Sequence, residues 1–292
     1  SLLGASVSHT IQTRFGPVVI PPLASSMPTI TNSMDVITLS NNNTISGLSI
    51  AIPMNFNGLF GQNITNLFVD RSVFAAIAAP FHGISLVDAS GTISVAESSF
   101  TGGVGSPANT AGIAISGTGV ITALNVSGSS FSTIGTSGFS QDGIRNAGMI
   151  TIANISNNLF HDVGNGFENV GDIGTMNVTD NTFTDIRSEG ILHSAGTIST
   201  LNFLRNTCVD FESAADGIRQ DSVIGTLNFS DNVFRSTAFG VTGLGLFTST
   251  TSVLNMTNNL FDLLNGIGIQ GSAHSATLGS VNISGNVFNN IN

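Results

Sequence analysis

Apolar and polar residues alternate in short bursts along most of this chain, and one burst recurs. It reads LNVSGSSF at 124–131, ANISNNLF at 153–160, MNVTDNTF at 176–183, LNFLRNTC at 201–208, LNFSDNVF at 227–234, LNMTNNLF at 254–261 and VNISGNVF at 281–288. Weaker members are LFVDRSVF at 67–74 and ISVAESSF at 93–100. The aligned second positions fall at 68, 94, 125, 154, 177, 202, 228, 255 and 282, a period of 23–31 residues. A period in that range marks a repeat architecture. The motif predicts a strand. Leu124, Val126 and Phe131 take one side and Asn125 and Ser127 the other, because strand side chains alternate with period two. Gly128, Asn157, Asp180, Asp231, Asn258 and Gly285 tolerate left-handed backbone and mark a bend; Arg205 breaks that rule.

Two further signals share the period. A second strand begins at Gly-Ile-like pairs: Gly83-Ile84, Gly112-Ile113, Gly143-Ile144, Gly166-Phe167, Gly190-Ile191, Gly217-Ile218, Gly240-Val241 and Gly266-Ile267. A third apolar position precedes the motif at Ile121, Ile150, Ile173, Ile198 and Ile224. The expected fold class is all-β: a parallel β-solenoid of about nine or ten coils over 34–292, with three short parallel sheets. Residues 1–33 carry Pro17, Pro21, Pro22 and Pro28 and lack the motif. They read as an N-terminal cap or lead-in, covering an edge that would otherwise invite pairing.

One column sharpens this reading. Asn158, Asn181, Asn206, Asn232, Asn259 and Asn286 hold the same place in six successive coils. An amide both donates and accepts, so asparagines stacked at the ~4.8 Å strand spacing can bond coil to coil. With the three-strand coil, this resembles the right-handed parallel β-helix (pectate-lyase-like) superfamily and its asparagine ladder, over about residues 60–292. The resemblance implies a right-handed solenoid; it is specific for fold and not for activity. Phe131, Phe160, Phe183, Phe234, Phe261 and Phe288 are expected to form an internal stack. Cys208 takes the Phe slot of its coil and reads as a small buried hydrophobe.

Composition narrows the function classes. A hydrophobic content of 41% can fill a core. The net charge of −10, with seven Arg and no Lys, excludes a nucleic-acid partner and an anionic membrane surface. No apolar run of about 18 residues is present, so no membrane insertion is expected. No charged segment followed by an apolar one opens the chain, so any signal peptide is expected to be gone already. Eight Asn-x-Ser/Thr sequons begin at Asn42, Asn63, Asn125, Asn154, Asn177, Asn228, Asn255 and Asn282. Six fall on the motif, where outward Asn and Ser/Thr two apart generate them without any modification. A Ser/Thr array suggests ice binding, but the Asn column and Leu204 interrupt it.

The candidate chemistry is acidic. Twelve of the 17 acids lie between Asp142 and Asp231. Asp162, Asp185 and Asp210 each stand two residues past the Phe slot, where stacked carboxylates could attract calcium. Asp142, Asn165, Glu189 and Asp216 each precede the Gly-Ile strand. Arg145 and Arg219 follow in two DGIR sequences, where local pairs with Asp142 and Asp216 are expected. His161 and His193 are close in register. Glu189 and Asp216 one coil apart would approach the ~5–5.5 Å carboxyl separation of retaining glycosidases. A ligand site would therefore use Asp142, Arg145, Asp162, Asp185, Glu189, Asp210, Asp216 and Arg219.

Against catalysis, the Asn-Thr-Asp, Asp-Asp and Arg-Ile-Lys signatures of polygalacturonases are absent. There is also no Trp or Tyr to stack on sugar. Within the superfamily the chain looks most like bacterial cell-surface and autotransporter passenger solenoids. That likeness implies a secreted or surface-displayed structural or adhesive protein, non-enzymatic. Its expected partners are a cell-surface glycan or protein, or other copies stacked through open solenoid ends. The four residues after VNISGNVF leave that last edge uncapped, so a continuing chain or another subunit is expected there. The alternative is a polysaccharide lyase or glycoside hydrolase working through Glu189, Asp216 and Asp142.

Overall fold

A computed structural model of the protein describes residues 2–3, 9–13, 16–20, 27, 29–30, 35–52, 56–77, 81–102, 110–134, 141–212, 215–236, 242–247, 249–262, 269–271 and 276–290. It is an all-β parallel solenoid with no helix among the described residues. Each coil lays down three strands. In the middle of the molecule the first strands are Asn165–Asn169, Glu189–His193 and Asp216–Gln220. The second are Asp172–Thr179, Thr197–Leu204 and Val223–Ser230. The third are Thr182–Thr184, Thr207–Val209 and Val233–Arg235. Equivalent strands of neighbouring coils pair in parallel, as in Ile191↔Ile218 and Asn202↔Asn228. First and second strands join into one 19-stranded sheet, and the third strands form an 11-stranded sheet. The number of coils is close to the nine or ten expected.

The partition of the repeat differs from the sequence reading. The motif is not one strand. Its front half ends the second strand, and its Phe sits in the middle of the third. Ile121, Ile150, Ile173, Ile198 and Ile224 belong to the same strand as that front half, and all are buried. The reason is the corner between the halves. Gly128, Asn157, Asp180, Arg205, Asp231, Asn258 and Gly285 all adopt φ between 55° and 66°, which swings the chain onto the next face. Arg205 takes this conformation like its neighbours, and its guanidinium holds Asp180 of the preceding coil with two bonds of 2.8 Å. The Gly240-Val241 and Gly266-Ile267 pairs lie outside the described residues.

Three polar ladders run along the rod. The first follows the corner residue and is the expected one. From Asn158 to Asn286, each Nδ2 donates to the next Oδ1 at 2.8–3.2 Å, and each backbone N–H donates to that same oxygen. Ser72, Ser98 and Ser129 continue it in the earlier coils. The second ladder is on the outer face. Asn154, Asn177, Asn202, Asn228 and Asn255 each donate Nδ2 to the Oδ1 one coil back, at 2.7–2.9 Å. The third lies at the inner corner between first and second strands, where Asn146, Asn169, His193 and Gln220 are fully buried. Asn146 Nδ2 donates to Asn169 Oδ1 at 2.8 Å, and Asn169 Nδ2 faces His193 Nδ1 at 3.2 Å.

The core is a continuous apolar filling with an aromatic spine. Phe74, Phe100, Phe131, Phe160 and Phe183 stack with ring centroids 4.6–5.0 Å apart, and Phe234, Phe261 and Phe288 resume the line. Cys208 fills the gap as a buried thiol. There the spine detours through Phe203 and Phe229 on the second strands, with centroids 6.0 Å from Phe183 to Phe203 and 5.4 Å from Phe203 to Phe229. The spine explains the Gly-Ile signal. A Cβ on Gly166 would lie 2.5 Å from Phe183 Cε1 and 2.6 Å from the Gly190 carbonyl oxygen. Only glycine admits both the ring of its own coil and the backbone of the next.

Upstream of residue 34, Leu2–Leu3 pairs with Ile45–Ser46, and Thr29–Ile30 pairs with Ser49–Ile50. His9–Thr13 and Gly16–Ile20 form an antiparallel pair.

Candidate functional site

The residue before each first-strand glycine forms one column, as the sequence alignment required. Asp142 is in register with Asn165, and Glu189 with Asp216, which is followed by Thr242. The carboxyls do not open to solvent. Asp142, Glu189 and Asp216 are 0%, 5% and 4% exposed. Asn165 ties the column together: its Nδ2 donates to Asp142 Oδ1 at 2.8 Å, and its Oδ1 accepts the Glu189 backbone N–H at 3.2 Å. The Ser188 hydroxyl donates to Glu189 Oε2. Asp216 occupies the space over Gly245, where a Cβ would lie 2.7 Å from its Oδ2.

The arginines bind other acids than expected. Arg145 Nε pairs with Glu168 Oε2 at 3.0 Å and adds only a minor charge effect on Asp142. Arg219 Nε pairs with Asp221 at 3.0 Å, and its Nη1 stands 3.6 Å from Glu189 Oε1. Its guanidinium lies 4.7 Å over the Phe247 ring. The expected Arg145–Asp142 and Arg219–Asp216 pairs are thus replaced by pairs across coils or along the strand. The reason is strand geometry: a residue's in-register neighbour one coil away is closer than one three places along its own strand.

Burial dominates the electrostatics. It raises the Asp142 carboxyl well above the usual range, and the neighbouring Glu168 carboxylate adds to the rise. It raises Glu189, against the Ser188 hydroxyl and the Arg219 charge. Asp216 is pushed up to about 7 by burial first and by Glu189 second. In all three, burial favours the protonated acid, and for Asp216 the change falls near neutrality.

The Asp162, Asp185 and Asp210 column is of a different kind. All three sit at φ 50–53° on the corner after the third strand. Their backbone N–H groups donate to the coil ahead, at Thr184, Val209 and Arg235. Asp162 pairs with Arg187 at 3.3 Å, and Asp185 with His161 Nδ1 at 3.1 Å. Arg187 also donates to the carbonyls of Ile134 and Asp162, clasping successive coils. No three acidic, His or Cys groups converge as a metal site among the described residues, so the calcium reading of this column finds no geometry to support it. These aspartates are corner residues, chosen for a backbone conformation that Asp and Asn tolerate.

No protein-family model, curated protein or solved structure matches this chain. The fold that the repeats encode is nonetheless plain in its own geometry.

Sequence reasoning missed the residues that engage Glu189 and the two arginines. Ser188, Glu168 and Asp221 carry no repeat signal, and Phe247 follows a first strand rather than the motif. His193 is not part of the acid column; it lies in the inner-corner ladder, where its Nε2 meets the Val223 carbonyl at 3.0 Å. The cue available in sequence was alignment: Asn146, Asn169, His193 and Gln220 each stand three residues after a first-strand glycine.

Proposed function

We propose that this solenoid is a structural or adhesive protein, secreted or displayed at a cell surface, and not an enzyme. One observation carries the reading. Glu189 and Asp216, the acids best placed for catalysis, are buried and already engaged by Ser188, Arg219 and the strand beyond. A hydrolytic pair needs access to the scissile bond and room between its carboxyls for the sugar. The outer face of the second strands fits the scaffold reading, because its amide ladder is rigid and self-satisfied. Likeness to passenger-type solenoids, a cell-surface glycan or protein partner, and association through the solenoid ends belong to this reading.

The competing reading is polysaccharide cleavage, favoured by the in-register approach of Glu189 and Asp216. A reducing-end and unsaturated-product assay over a panel of acidic and neutral polysaccharides separates the two. No turnover is expected. Turnover in the native protein that disappears in Glu189→Gln and Asp216→Asn would overturn the scaffold reading.

A further inference from the structure

We propose that Glu189 and Asp216 form a protonation-dependent latch, which holds adjacent coils together in mildly acidic surroundings and loosens them when both carboxyls ionise. Three observations carry it. The two residues are in-register neighbours on successive coils, so they stand one strand spacing apart on the same column. Both are at most 5% exposed, so water cannot screen them. The surroundings supply too little positive charge for two anions. Glu189 faces Ser188, Arg219, Asp221 and Asp216; Asp216 faces Glu189, Thr242, Arg219 and Asp221. Arg219 is the single cation in that set, and it is shared with Asp221 at 3.0 Å.

With two protons on the pair, Asp221 and Arg219 balance; with one, the cluster carries a single net negative charge. Without them, three carboxylates surround one guanidinium. The sign follows from proton uptake. The native state binds more protons than the unfolded chain between the ordinary carboxyl range and about 7, the value reached by Asp216. The contribution of the latch is therefore full below about pH 4 and is lost as pH rises through about 7. In a solenoid each coil contacts only its neighbours, so the loss is felt locally before it is felt globally.

Hydrogen–deuterium exchange at pH 5.5 and 8.5, corrected for intrinsic rates, tests the latch. Amides of 189–193, 216–220 and 242–246 should lose at least ten-fold protection at pH 8.5 relative to those of 150–155. In Glu189→Gln/Asp216→Asn that relative loss should vanish. An equal loss in the variant, or none in the native protein, would overturn the proposal. Should the double variant fail to fold, carboxyl-carbon NMR titration of the native protein decides. Glu189 and Asp216 both titrating in the ordinary carboxylate range would equally overturn it; titration of Asp216 near neutrality supports it.

Discussion

Asn206 accepts hydrogen bonds from the backbone N–H and side-chain amide of Asn181, and donates to Asn232 Oδ1 and the Val178 carbonyl. Its full donor and acceptor capacity is used inside the rod. Asn206→Leu would strand the Asn181 N–H and the Val178 carbonyl. At ~1–3 kcal/mol for each orphaned buried group, the expected loss is about 2–6 kcal/mol. Asn206→Ser should cost less, because a serine already holds this rung upstream, with Ser129 Oγ accepting the Ser98 N–H at 3.1 Å. Denaturant unfolding should rank native above Ser above Leu; Ser as harmful as Leu would refute the ladder account. The asparagine rungs were legible because an amide at one repeat position is conspicuous. The serine rungs were not, because Ser is common on every face of this chain.

Strand partners decide the next level. In three coils the Phe slot is coupled to a smaller residue five places earlier: Val126 with Phe131, Ile155 with Phe160, Val178 with Phe183. In the Cys208 coil the sizes are exchanged, and Phe203 carries the ring. Cys208→Phe alone should overpack, at about 1–3 kcal/mol. Phe203→Val alone should leave a cavity, at about 2–4 kcal/mol. The double variant restores the usual pairing, so its loss should fall at least ~1 kcal/mol short of the sum. Additive losses in a double-mutant cycle would show that the two positions do not share one volume. Gly190 fits the same logic. A Cβ there would find no ring closer than Phe211 at 3.5 Å, yet would still meet the Gly217 carbonyl oxygen at 2.5 Å. Alignment exposed Cys208 as an exception, but its compensation lay on another face of the coil.

Across the whole molecule, buried groups pull stability in opposite directions with pH. Asp142, Glu189 and Asp216 are raised by burial, so their contribution grows as pH falls. His82 and His193 act the other way. Burial lowers His82 to about 4, with help from the Arg145 charge, and lowers His193. Asn169 spends its Oδ1 on Asn146, so its Nδ2 faces His193 Nδ1, which must accept while Nε2–H donates to Val223. A second proton would set donor against donor. The histidine contribution is therefore present above about pH 6.5 and is lost as pH falls through the lowered folded value. His193→Asn repeats the residue of the two preceding rungs and should raise Tm at pH 5, relative to its value at pH 7, above that of the native protein. Parallel Tm–pH curves for the two proteins would refute this role.

The sequence by itself determined the coil, its period, the inward Phe and the buried asparagine column. Each depends on a residue type recurring at one position, and a solenoid turns sequence period directly into spatial stacking. It also placed Glu189 beside Asp216, for the same reason. The bend at Gly128 and its equivalents was also marked in sequence; only the tertiary structure decided that this bend is a corner, and so that one motif belongs to two faces. Only the structure decided that the acids are enclosed, which partners engage them, and that Phe203 answers Cys208. Those outcomes depend on contacts between different positions of the repeat, set by how the corner dihedrals bring the three faces together, and a periodic pattern read along one column carries no record of them.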